Sequence, residues 1–107
     1  DWLLLCTGQS TKWGTEDYFG TEPLFTEAFV KAAARIARKG IGLDCAGLDR
    51  EGVVLHCVWF SSGGGLMVEN LTDLEMLLSE SRILFAAYPL KLAADDGAPV
   101  RAVALIG

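Results

Sequence analysis

The chain has 107 residues, 51% of them apolar, and a net charge of −5. That length suits one domain and provides enough apolar material for a core, so disorder is not expected. No basic stripe is present, which argues against nucleic acid and against an anionic membrane surface. The three cysteines, Cys6, Cys45 and Cys57, are odd in number and scattered, with no CxxC. They read as reduced, mostly buried thiols of a cytoplasmic protein, not as a disulfide framework or a thiolate zinc site.

Trp2 to Cys6 is a short apolar run ending at Thr7-Gly8 and predicts a buried strand. It is too short for a membrane span or a signal-peptide core, and no basic stretch precedes it. The chain opens on Asp1, not methionine, and enters this strand at once. Both features suggest a fragment or a processed chain. Gly8 to Pro23 is rich in Gly, Thr and Ser but carries Trp13, Tyr18 and Phe19. A connection that long is either functional or pinned to the surface by its aromatic residues.

Thr26 to Lys39 predicts a helix. Thr26 suits the N-cap and Glu27 the positive end. Phe29, Ala33, Ile36 and Ala37 share a face, and Gly40 suits the position just past the end. Ile41 to Asp44 predicts a short strand. Val53 to Phe60 is apolar around His56, and its periodicity leaves helix or strand open. Gly63-Gly64-Gly65 reads as a flexible turn, since no Lys and helix start follow it for phosphate binding. Leu66 to Asn70 predicts another strand, and Thr72-Asp73-Leu74-Glu75 a capping box on a short helix. Ile83 to Leu92 predicts a strand that Pro89 confines to an edge or bulge. Asp95-Asp96-Gly97 is a turn signal before a closing strand, Val100 to Ile106. The order indicates a mixed α/β domain.

Few residues carry obvious chemistry. No GxSxG, Walker-type, HExxH or GxGxxG pattern occurs. His56, the only histidine, is either a satisfied core residue or a ligand. Glu69 ends an apolar strand, where a carboxylate is either exposed or committed to a partner or metal. The two could converge on one ion from the ends of consecutive elements, but zinc and manganese sites want at least three protein ligands. Asp44 and Asp49 could be an acid–base pair or could cap turns.

Six segments, in order and covering nearly the whole chain, resemble the cyclase family of metal-dependent hydrolases, which includes bacterial kynurenine formamidase. They are Leu3-Leu4-Leu5-Cys6-Thr7-Gly8 with its aromatic loop (Trp13-Gly14, Tyr18-Phe19); Ile41-Gly42-Leu43-Asp44 with Asp49; His56; Glu69-Asn70-Leu71-Thr72-Asp73-Leu74; Pro89-Leu90-Lys91-Leu92; and Asp96-Gly97-Ala98-Pro99-Val100-Arg101-Ala102 with the apolar strand after it.

The resemblance implies an α/β swivelling β/β/α fold with a mixed sheet, incomplete here. Residues 1–107 would form the C-terminal half of a domain whose N-terminal half is absent. It also implies a divalent metal, zinc or manganese, that activates water against an amide carbonyl of a small-molecule substrate. His56 and Glu69 match the family's downstream metal-site residues, and His56 could instead relay a proton. Thr7 and Gly8 match the strand end lining the site, while Pro99 and Arg101 match a structural closing motif.

The chain also departs from the family. The main ligand motif, His-x-Gly-Thr-His-x-Asp-x-Pro-x-His, is absent, and Gly14-Thr15 has no flanking His. The His56 to Glu69 interval is one residue longer than the commonest pattern, and Gln9 stands where Trp is common. Two expectations follow. The parent protein would hydrolyse a linear or cyclic amide, or the chain would be a truncated, inactive scaffold. In either case an apolar surface left open by missing strands predicts a homo-oligomer.

Overall fold

The computed structural model describes residues 1–93 and 96–107, which form two compact units, Asp1–Glu75 and Met76–Gly107. The turn expected at Asp95-Asp96-Gly97 falls partly outside the described residues.

The first unit is built on a parallel sheet of β1 (Trp2–Leu5), β2 (Gly40–Leu43) and β3 (Leu66–Val68), with β2 in the middle. The register runs Trp2 against Gly40 and Gly40 against Leu66. Helix α1 (Glu27–Ile36) connects β1 to β2, and α2 (Val54–Ser61) connects β2 to β3. The question left open at Val53 to Phe60 is therefore settled as helix. Strands joined in parallel need such crossovers, and a strand covered on both faces is apolar throughout. All four residues of β2 are buried.

Thr26 caps α1 as expected: its hydroxyl accepts from the Phe29 amide at 3.1 Å, a contact that stabilises a helix by about 1 kcal/mol. The end of α1 differs from expectation. The helix stops at Ala37, and Lys39 already donates its amide to the Asp1 carbonyl at 3.1 Å. Gly40 is thus the first residue of β2, not a helix cap. The buried stripe also differs. Val30, Ala33, Ala34 and Ala37 face the core, whereas Ile36 is 68% exposed and Phe29, 37% exposed, stacks on Phe25. Small residues on that stripe let α1 lie close to α2, and Ile41, Leu43, Cys45, Leu48 and Trp59 complete the core.

The glycine run is not a loose turn. A side chain on Gly64 would meet the Trp59 indole, and Trp59, fully buried, donates its ring N–H to the Gly65 carbonyl at 2.8 Å. Thr72 to Glu75 does not form the capping box. Asp73 has φ 59°, in the left-handed region, where the first helical residue after a cap cannot be. Only one 3₁₀ turn, Leu74–Leu77, results.

The second unit contains an antiparallel hairpin of β4 (Ile83–Pro89) and β5 (Val100–Ile106), paired from Ile83 with Ile106 to Pro89 with Val100. Pro89 sits at the end of the ladder, where its missing N–H costs least. Paired residues share a face. One face of the ribbon therefore carries Ile83, Phe85, Ala87, Pro89 and their partners Ile106, Ala104, Ala102 and Val100. The other carries Leu84, Ala86 and Tyr88 opposite Leu105, Val103 and Arg101. The α/β class with both parallel and antiparallel pairing is present, each in its own sheet. Cys45 is buried, Cys6 half-buried and Cys57 exposed, so the thiols are less uniformly buried than expected. Among the described residues no helix is long and apolar enough to cross a membrane.

Candidate functional site

Three segments leave the carboxyl ends of the parallel strands and converge: Thr7-Gly8 after β1, Asp44 to Asp49 after β2, and Glu69-Asn70 after β3. That end of an α/β sheet is where ligands generally bind.

Asp44 is fully buried. Its carboxylate accepts from the Thr7 amide at 3.0 Å, the Thr7 hydroxyl at 2.5 Å and the Gly8 amide at 2.8 Å. Asp44 thus clips the β1 end to the β2 end. Asp49 lies at the other end of the same loop. Its Oδ1 accepts from the Leu55 amide at 2.8 Å, and its Oδ2 from the His56 amide at 2.9 Å. These are free N–H groups in the first turn of α2, and Val53 supplies no capping side chain. The two aspartates are therefore turn and helix caps, not an acid–base pair.

Asp49 does more than cap. The same Oδ2 lies 2.7 Å from His56 Nδ1. His56 Nε2 lies 3.2 Å from Glu69 Oε1. The imidazole is therefore bracketed by two carboxylates, one buried (Asp49, side chain 5% exposed) and one a third exposed (Glu69). Burial pushes the His56 pKa down, but the hydrogen bonds and negative charges of Asp49 and Glu69 outweigh it, and the net shift is upward. Burial pushes Asp49 up, while the His56 ring and the Leu55 and His56 amides pull it down, and the pull wins. A neutral imidazole has a single N–H and can satisfy only one of these carboxylates. The imidazolium satisfies both.

Gly47 forms a wall of this site. A Cβ there would lie 2.9 Å from Glu69 Oε1 and 3.2 Å from His56 Cε1, and its φ of 156° disfavours any other residue. On the far side of Glu69, Asn70 adopts φ 57°. Its amide donates to the Cys45 carbonyl at 3.0 Å, and its side-chain oxygen accepts from the Tyr18 hydroxyl at 2.6 Å. Beside Asp49 opens a shallow cleft of about 320 Å³, lined by Leu24, Phe25, Leu48, Arg50, Glu51 and Leu55.

Both expected site residues, His56 and Glu69, are thus brought together. Gly47, Asn70 and Tyr18 are not among the expected site residues, and Asp49 is expected only as half of an acid–base pair or as a turn cap. Asp49 carried a signal in its position just ahead of a His-bearing apolar segment, and Asn70 one in following Glu69 directly. The donor set suits a divalent metal in part. One His nitrogen and one carboxylate oxygen face each other, and the second His nitrogen is held by a buried carboxylate, the arrangement that orients metal-binding histidines. Among the described residues no group of three or more His, Cys, Asp and Glu side chains could hold a metal. The set is therefore two ligands, short of the three that zinc sites use.

No family model and no curated protein matches the chain. Solved structures do. A potential metal-dependent hydrolase with cyclase activity superposes with a TM-score of 0.72 and 34% identity over 95% of this chain and 49% of its own. A predicted metal-dependent hydrolase from Bacillus stearothermophilus gives 0.69 and 34% over 95% and 48%. The chain spans about half the length of these relatives. In both sequence and fold the chain is therefore similar to metal-dependent hydrolases, one of them described as having cyclase activity, over a stretch equal to about half of either one.

Proposed function

We propose that this chain contributes His56 and Glu69, as two metal ligands, to a hydrolase of small-molecule amides, formamidase-like or acting on cyclic amides. The observation that carries this is the 3.2 Å approach of His56 Nε2 to Glu69 Oε1 with Nδ1 already committed to Asp49. Asp49 fixes the ring and its tautomer, leaving the Nε2 lone pair for the metal, zinc or manganese. A bound divalent ion supplies Lewis-acid polarisation of a carbonyl and a water of lowered pKa. Further ligands come from outside the described residues or from another polypeptide. The reduced thiols suit a cytoplasmic setting. The test is a metal titration of the purified chain and of His56→Ala, followed by assay with N-formylkynurenine and isatin. Metal retained by the unchanged chain and lost from the variant supports the reading. Equal, negligible binding by both sinks it.

A second reading is a scaffold that associates with copies of itself. It is favoured by the β4–β5 ribbon, which is apolar on both faces apart from Arg101 and has Leu84, Tyr88 and Leu105 more than 60% exposed. A two-stranded ribbon is marginal alone, and contiguous exposed apolar surface tends to be covered by association. Sedimentation at increasing concentration tests it: a strict monomer is the contrary result.

A further inference from the structure

We infer that Tyr18 and Asn70 form a positioning pair that holds the Glu69 carboxylate against His56, so that the long aromatic loop after β1 serves the site through Asn70. The metal-ligand reading of Glu69 enters only the second of the two readouts below.

Asn70 has two separable jobs. Its backbone makes a left-handed turn immediately after Glu69, with φ 57° and its amide on the Cys45 carbonyl. Among residues with a side chain, Asn tolerates that conformation best, and glycine tolerates it freely. Its side chain accepts the Tyr18 hydroxyl at 2.6 Å, which glycine cannot do. The turn sets the direction in which Glu69 leaves β3, and the side-chain bond keeps the turn from rocking.

Tyr18 is built for the purpose. The residue is 2% exposed although it lies in a loop, and Trp13 and Phe19 pack edge-on against its ring at 4.9 and 5.0 Å between ring centres. The buried amide of Gln9 donates to the Tyr18 carbonyl at 2.6 Å and to the Thr21 hydroxyl at 3.1 Å, fastening the loop from inside. Burial, and then the surrounding Cys45, Asp44, Glu22 and Glu69, raise the phenol pKa, so the hydroxyl stays a donor at neutral pH. Opposite the turn, Gly47 leaves room for the carboxylate but not for a Cβ beside it. Glu69 therefore occupies a slot walled by Gly47, lined by His56 and anchored by Asn70.

The experiment compares Tyr18→Phe, Asn70→Gly and the double variant with the unchanged chain. Asn70→Gly keeps the turn and removes only the acceptor; Tyr18→Phe keeps the ring and removes only the donor. The first readout is metal-free NMR: the order of the Glu69 side-chain methylenes and the contact between the Gly47 α-protons and Glu69. Both are expected to fall in each single variant and no further in the double, since the two groups make one bond. The second is cobalt(II) affinity by absorption, expected to weaken about 10-fold in each single variant, the range seen when a partner behind a ligand is lost. If Tyr18→Phe does not fold, Asn70→Gly carries the same test. Variants that melt earlier but keep Glu69 as ordered as before overturn the proposal and leave the pair a plain fold contact. An unchanged chain that binds no cobalt counts against the ligand reading, while the NMR arm still decides the positioning.

Discussion

The Asp49 carboxylate meets the His56 ring at 2.7 Å and also accepts the amide of the same residue at 2.9 Å. One side chain thereby starts helix α2 and orients the imidazole that α2 carries. Capping and ring orientation cannot be altered separately by removing Asp49.

Replacing Asp49 with alanine therefore has two consequences. The first turn of α2 loses its acceptor, and the His56 ring loses its anchor. Loss of a cap and of a charge-assisted bond together is expected to destabilise the unit by about 2 kcal/mol. Asn in place of Asp49 keeps one oxygen for an amide and should lose about half as much. Urea denaturation of the two variants measures both, and equal stability of Asp49→Ala and the unchanged chain refutes the capping role.

His56 titration is expected above its ordinary 6.5, and Asp49 titration below its ordinary 3.8. The signs then follow from linkage. The raised His56 pKa contributes stability that is fully present below the unfolded value of 6.5 and is lost as pH rises through the folded value. The depressed Asp49 pKa contributes stability present above 3.8 and lost as pH falls through its folded value. Metal-free stability should thus be greatest between the two values and decline on the alkaline side of 6.5 by the His56 contribution. The chemical shift of the His56 ring protons against pH, alongside denaturation at each pH, checks this. Glu69→Gln should move the His56 midpoint downward; a midpoint that stays fixed would show that Glu69 exerts no field on the ring.

At the other end of the loop, Thr7→Val removes a hydroxyl that donates to the buried Asp44 carboxylate. Hydrogen bonds to charged groups contribute about 1.5–3 kcal/mol, and the cost should lie in that range. Asp44→Ala strands the Thr7 and Gly8 amides together and should be more damaging, to the point of losing the fold. Comparative denaturation reads the order of the two.

Gly64→Ala is expected to destabilise by about 1–3 kcal/mol, the usual effect of overpacking. Trp59 is fully buried and held through its ring nitrogen, so it has no room to retreat from a new methyl group. Denaturation measures the loss, and the resonance of the Trp59 indole N–H, bonded to the Gly65 carbonyl, locates it. A Gly52→Ala control, where no atom lies within 4 Å of the added carbon but φ is 77°, separates crowding from backbone strain.

Much of the scaffold is legible in the residues themselves. The strand at Trp2, the Thr26 cap and the closing pair of strands follow from short apolar runs and turn signals. So does the pairing of His56 with Glu69, once the six-segment resemblance is read. What escaped has a common cause: it depends on which side chains meet across the chain. Ala33 and Ala37 of the expected α1 stripe are buried, but Val30 and Ala34 take the places of Phe29 and Ile36, because they look no more apolar and only packing chooses between them. Gly64 looked free because nothing local shows that Trp59 lies over it. Asp49 looked like an ordinary turn residue because its partner is seven positions away on an element whose type was itself undecided. Asp73 satisfied the capping pattern by composition, yet its left-handed backbone removes the helix the pattern describes.

The loop after β2 has a further consequence. Four residues, Cys45 to Leu48, separate Asp44 from Asp49. One carboxylate is fastened to the turn after β1, the other to the start of α2. A residue added or deleted between them would have to unfasten one end. The span is therefore a fixed ruler in length, and largely in composition too, since Cys45 and Leu48 are core residues and Gly47 has no room for a Cβ. Of the four residues only Ala46 is not buried, so redesign of this site must look elsewhere in the chain for room to change shape.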